Sequence, residues 1–137
     1  MDAYAADADM YAYERSQLPM VKYARWALIS LAVVEGLTAL LVCAGAFGLP
    51  MLGDPLDEET MAIVAGGICT FFGTMAFGVL PAAAAAIGLG RGAKWGWVLG
   101  IVAGVLNIFP CCACLPLGAF VLYAMLNEET RQAFADA

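Results

Sequence analysis

Apolar residues in this chain come in long, nearly unbroken runs separated by short polar stretches. The pattern shows neither the alternation of a half-buried strand nor the two-faced periodicity of a soluble helix. The runs cover residues 24–47, 61–80 with a continuation to 90, 95–109 and 115–126. The first two are long enough to cross about 30 Å of hydrocarbon at about 1.5 Å per residue. The last two are short and close together. They predict a compact hairpin whose helices extend past the hydrocarbon at Arg91–Lys94 and at 127–134, with charged ends snorkelling, or else a locally thinned bilayer. The expected fold is an all-α membrane protein with four transmembrane helices, the third and fourth forming a short hairpin.

The breaks between runs have recognisable chemistry. Residues 1–23 are polar and acidic and predict a cytoplasmic tail or short interfacial helix, with Tyr4, Ala8 and Tyr11 on one face. Lys22, Tyr23, Arg25 and Trp26 form a basic and aromatic collar suited to headgroup level. Residues 24–137 are expected to form the transmembrane domain, with a short cytoplasmic C-terminal extension. Gly48, Leu49 and Pro50 are expected to end the first span. Asp54 is a good N-cap for the second, with Pro55 at its first helical position and Asp57 to Glu59 complementing the helix dipole. Pro81 predicts a kink. The sequence Gly88-x-Gly90-x-Gly92 predicts a tight turn rather than a phosphate loop, because no strand precedes it.

Composition agrees with this pattern. The chain is 64% hydrophobic and 13% charged, against roughly 25% charged in soluble domains. The formal charge of -6 comes mostly from the tails and one loop, which leaves no basic face for nucleic acid. Asp2, Asp7 and Asp9 ahead of a long apolar run read as a retained anchor, not a cleavable signal. All six basic residues, Arg15, Lys22, Arg25, Arg91, Lys94 and Arg131, fall on one side of the four-span arrangement. The positive-inside rule then puts both termini and the Gly-rich turn in the cytoplasm. Trp26, Trp95 and Trp97 fall at the same inner interface.

Glu35 is the one Asp, Glu, Lys or Arg within 26–47, 61–90 and 95–126. An intramembrane acid is a functional candidate by default, here a proton carrier or cation site, with Thr38 on its helical face. The competing structural reading is a neutral carboxyl hydrogen-bonded to Thr38, Thr70, Thr74 or Asn107. Four short spans with a lone Glu in the first resemble the outline of the small multidrug resistance transporters; the surrounding sequence and the long acidic tail depart from that family. Gly96, Gly100 and Gly104 form a glycine ridge over two repeats of the small-residue packing motif. It predicts close packing against another helix, in this chain or in a neighbouring copy.

Topology brings all five cysteines toward the outer leaflet: Cys43 and Cys69 in the first two spans, and Cys111, Cys112 and Cys114 in the last turn. Cys111 and Cys114 form a C-x-x-C that could exchange disulfides or bind Cu(I). The alternative is that these cysteines are small apolar residues in a crowded turn. The outline is similar to membrane thiol oxidases of the quinone-linked and vitamin K epoxide reductase type. Those use a second cysteine pair in an outer loop, and the loop 51–60 has none. No His is present, so haem and zinc chemistry are not expected.

The segments Ile87-Gly-Leu-Gly-Arg-Gly-Ala-Lys-Trp-Gly-Trp-Val-Leu-Gly-Ile101 and Pro116-Leu-Gly-Ala-Phe-Val-Leu-Tyr-Ala-Met-Leu-Asn-Glu-Glu-Thr-Arg-Gln-Ala-Phe134 resemble a pattern in small bacterial four-helix membrane proteins. The resemblance covers the C-terminal third to half of the chain and implies bacterial origin and the hairpin, but no activity. The leading expectation is a non-enzymatic scaffold or accessory subunit in the lipid bilayer. It would self-associate or join a larger membrane complex through Gly-rich helix faces. An ion-coupled transporter or channel using Glu35, and a thiol or Cu(I) site at Cys111 and Cys114, are the alternatives.

Overall fold

The computed structural model describes residues 2–51, 57–108 and 115–135. These residues are helical apart from short breaks and include no strand. The helices are α1 (Asp2–Gln17), α2 (Pro19–Met51), α3 (Glu58–Thr74), α4 (Leu80–Gly90), α5 (Lys94–Ile108), α6 (Leu115–Leu126) and α7 (Glu128–Ala135). A π-helical turn, Met75–Val79, joins α3 to α4 without a break. Two stretches, Pro19–Ala46 and Glu58–Gly90, are long and apolar enough to cross a membrane, and α5 and α6 are shorter apolar helices.

Local chemistry accounts for the boundaries, including those that differ from expectation. The polar N-terminal segment is helical as α1. It is separated from α2 at Leu18, because Pro19 disfavours the helical backbone in the residue before it while suiting the first helical position itself. The first long helix therefore starts at Pro19, ahead of the apolar run at 24, and its described residues end at Met51, one residue after Pro50. For α3 the cap is Asp57, whose carboxylate accepts the Thr60 backbone N–H at 2.9 Å and also the Thr60 hydroxyl. The expected cap, Asp54, and Pro55 lie outside the described residues.

Pro81 is accommodated by the π turn. Its ring crowds the carbonyl four residues back, at Phe77, and it brings no N–H of its own. The wider turn just before it, in which the Leu80 N–H donates to Met75 O, absorbs that mismatch. The α4–α5 connection is a Schellman turn. Gly92 adopts φ +62°, its N–H donates to Leu89 O, and the Ala93 N–H donates to Gly88 O, each at 3.0 Å.

Packing is inside-out relative to a soluble bundle. The interior is dominated by small residues, with Ala24, Ala82, Ala85, Ala103 and Ala124 fully buried around Leu28, Leu31, Leu89, Val121 and Met125. Many large apolar side chains point outward, among them Leu37, Leu41, Phe72, Phe77, Leu80 and Ile87. Small residues let helix backbones approach closely, which brings many atom pairs into dispersion contact.

The glycine ridge shows this directly. A Cβ on Gly96 would come 2.5 Å from Leu89 N and would overlap Gly88; one on Gly100 would sit 3.2 Å from Met125 Sδ. One on Gly104 would sit 2.9 Å from Leu122 Cγ and 3.4 Å from Gly118 O. All three glycines are buried against α4 and α6 of the same chain. The ridge is thus an internal seam, and its partner helices are not those of a neighbouring copy.

One end of the bundle is closed by α1, the Arg91–Ala93 turn and α7. Gly92 abuts the Ala12 carbonyl. Phe134 is fully buried, stacks on Trp97 with centroids 6.5 Å apart, and lies 5.8 Å beneath the Arg15 guanidinium carbon. The Trp97 indole N–H donates to Met125 O at 2.9 Å.

Candidate functional site

The buried stripe of α2 runs through Leu28, Leu31, Glu35 and Ala39. Spacings of three and four residues place these side chains on one face, so the packing that buries Leu28 and Leu31 carries Glu35 inward as well. Glu35 is only 7% exposed.

Opposite it is Gly78, within the π turn. A Cβ on Gly78 would overlap Glu35 Oε2, and it would lie 2.8 Å from Cδ and 3.1 Å from Oε1. The carboxyl therefore occupies the space of the missing side chain, pressed against the backbone of the second long helix. Two sequence features converge here: Pro81, which calls for the wide turn, and Gly78, which opens it. Gly78 was visible in the sequence only as one of several glycines in its span. Its position three residues before a mid-run proline was the available signal.

Glu35 Oε2 is buried without a hydrogen-bond partner. An ionised carboxylate left this way is expensive, and breaking even a well-made buried pair costs about 3–5 kcal/mol.

Of the four polar residues expected to satisfy Glu35, Thr38, Thr70 and Asn107 bond within their own helices, and Thr74 makes no side-chain cap hydrogen bond. Thr38 is exposed, and its hydroxyl donates to Val34 O of its own helix at 2.8 Å, so it is not a partner of Glu35. Thr70 donates to Gly66 O at 2.8 Å, also within its helix. Asn107 donates through Nδ2 to Ala103 O at 2.8 Å, and its buried Oδ1 is itself unpartnered.

Cys43 is a half-buried free thiol on α2, and Cys69 is an exposed free thiol on α3. Cys111, Cys112 and Cys114 lie outside the described residues. Among the described residues no group of three or more His, Cys, Asp or Glu is placed to hold a metal ion.

No family model, curated protein or solved structure matches this chain, so its function rests on the residues themselves.

Proposed function

We propose that this chain is a four-span bacterial inner-membrane protein, with both termini cytoplasmic, in which the Glu35 carboxyl binds a proton or a small monovalent cation and couples it to transport. The observation that carries this reading is the buried, unpartnered Oε2 set against Gly78 at a π turn. Such turns recur at functional sites because they place backbone and side chains where a regular helix would not.

Three features support the membrane setting. Two helices are of membrane length, large apolar side chains face outward, and the interior is packed with Ala and Gly. The orientation is supported by the basic residues. Arg15, Arg91 and Lys94 sit in α1, the closing turn and the start of α5, at the end where α1 and α7 meet.

The test is proton or cation flux in liposomes carrying the purified protein. Wild type should dissipate an imposed gradient, Glu35→Gln should not, and Glu35→Asp should retain part of the activity. Equal flux in wild type and Glu35→Gln would sink the proposal.

Self-association is the second reading, moved to a different surface. Gly96, Gly100 and Gly104 are used internally, but Cβ atoms on Gly36, Gly45, Gly66 and Gly73 of α2 and α3 would meet nothing within 4 Å. Those faces could receive another helix. Cysteine crosslinking across positions 66 and 73 distinguishes a neighbouring chain from lipid there.

A further inference from the structure

Beside α4, on the flank of α2, runs a groove of about 400 Å³. Ile29 and Ala32 of α2 form one wall, and Val79, Ala83 and Ile87 form the other. Arg25 stands at one end. From Arg25 to Val33 the groove extends about 12 Å, at about 1.5 Å per helical residue. A groove of this length, walled by apolar side chains, accepts an extended hydrocarbon chain along it.

The end residue supplies the polarity. Arg25 is exposed, within the collar of Lys22, Tyr23 and Trp26, and makes no hydrogen bond or ion pair with any described residue. Its guanidinium lies over Gly90, where a Cβ would come 2.9 Å from Cζ, so the missing side chain at position 90 is what lets it rest at the groove mouth. A guanidinium with open donors at headgroup level is a bidentate receptor for phosphate.

We propose that this groove binds one acyl chain of an anionic phospholipid, with Arg25 holding the headgroup phosphate. The proposal rests on the membrane reading above but is independent of Glu35 titration. Apolar walls recognise the chain, and the unpaired cation recognises the charge.

Native mass spectrometry of the detergent-purified protein, incubated with equimolar phosphatidylglycerol and phosphatidylcholine, tests it. Wild type should retain one phosphatidylglycerol in about fivefold preference, the effect of one basic residue at a charged surface. Arg25→Gln should bind both lipids equally. Ala83→Trp, which fills the groove, should lose both. An Arg25 that only complements the C-terminal end of α4 would alter stability and leave lipid preference unchanged.

Equal retention of the two lipids by wild type would overturn the proposal, as would an unchanged preference in Arg25→Gln. So would a dimer that Ala83→Trp abolishes, because a second copy would then occupy the groove. If Ala83→Trp does not fold, Arg25→Gln decides alone. Sedimentation of the protein with membranes after a carbonate wash separates failure of this proposal from failure of the membrane reading.

Discussion

Replacing Gly78 with Ala tests whether the Glu35 carboxyl sits where the structure puts it. The added methyl would overlap Oε2 and approach Cδ to 2.8 Å. Gly78 is outside the left-handed region, so Ala carries no backbone strain and should gain up to about 1 kcal/mol of helix propensity. Against this, displacing a buried carboxyl from its well is an overpacking cost of about 2 kcal/mol. The net expectation is a loss of about 1 kcal/mol in wild type. In a Glu35→Ala background the clash is gone, and the same substitution should be neutral or stabilise by up to about 1 kcal/mol. The coupling energy of the cycle is therefore about 2 kcal/mol, inside the range measured for residues in contact. Unfolding in mixed micelles of rising SDS fraction, followed by circular dichroism, reads all four proteins. If Gly78→Ala has the same effect in both backgrounds, the carboxyl is not against Gly78 and the site is wrong.

Other residues give sharper local tests. Gly92→Ala places a Cβ at φ +62° and into the Ala12 carbonyl, and should cost at least about 1–2 kcal/mol while exposing α1 to trypsin at Arg15. Unchanged proteolysis would argue against the α1 contact. Phe134→Ala should cost about 3–5 kcal/mol and shift Trp97 fluorescence, since it removes a fully buried ring stacked on the indole. At Asp57, the hydrogen bonds from the Thr60 side chain and backbone hold the carboxyl below its ordinary range. A depressed acid stabilises above its unfolded pKa of about 3.9 and loses that contribution as pH falls through the folded value. The start of α3 should thus be indifferent to pH between 5 and 8 and loosen in acid, by hydrogen exchange, while Asp57→Ala reduces the acid dependence to the part that Glu58 and Glu59 carry in the first turn.

What could be read from the sequence depended on whether the signal was local. Run length and the break chemistry at Gly92 located α5 and the turn before it, whereas the face read around Glu35 included Thr38, which the structure leaves exposed. The helical state of 2–17 was harder to read, because its polar composition suits a tail equally well. What stabilises α1 is distant in sequence, the Gly92 backbone and Phe134. For the glycine ridge, spacing revealed the seam and not its partner. Gly88 and Gly118, which receive Gly96 and Gly104, come from two other helices. The site had the same limit. A lone acid in a long apolar run is visible at once, whereas its neighbour Gly78 is more than 40 residues away and is exposed to it only by the turn that Pro81 requires. Thr38 shares the right stretch of α2 but faces outward and bonds its own backbone.

The most direct test of Glu35 as a proton or cation site is infrared difference spectroscopy of the protein in lipid nanodiscs, with the carboxyl region compared between wild type and Glu35→Gln across pH and monovalent salt. A reversible site predicts one protonated-carboxyl band that appears and disappears with pH, or is displaced by a particular cation, and that is missing in Glu35→Gln. A spectrum in which wild type and Glu35→Gln are identical at every pH and salt would contradict it.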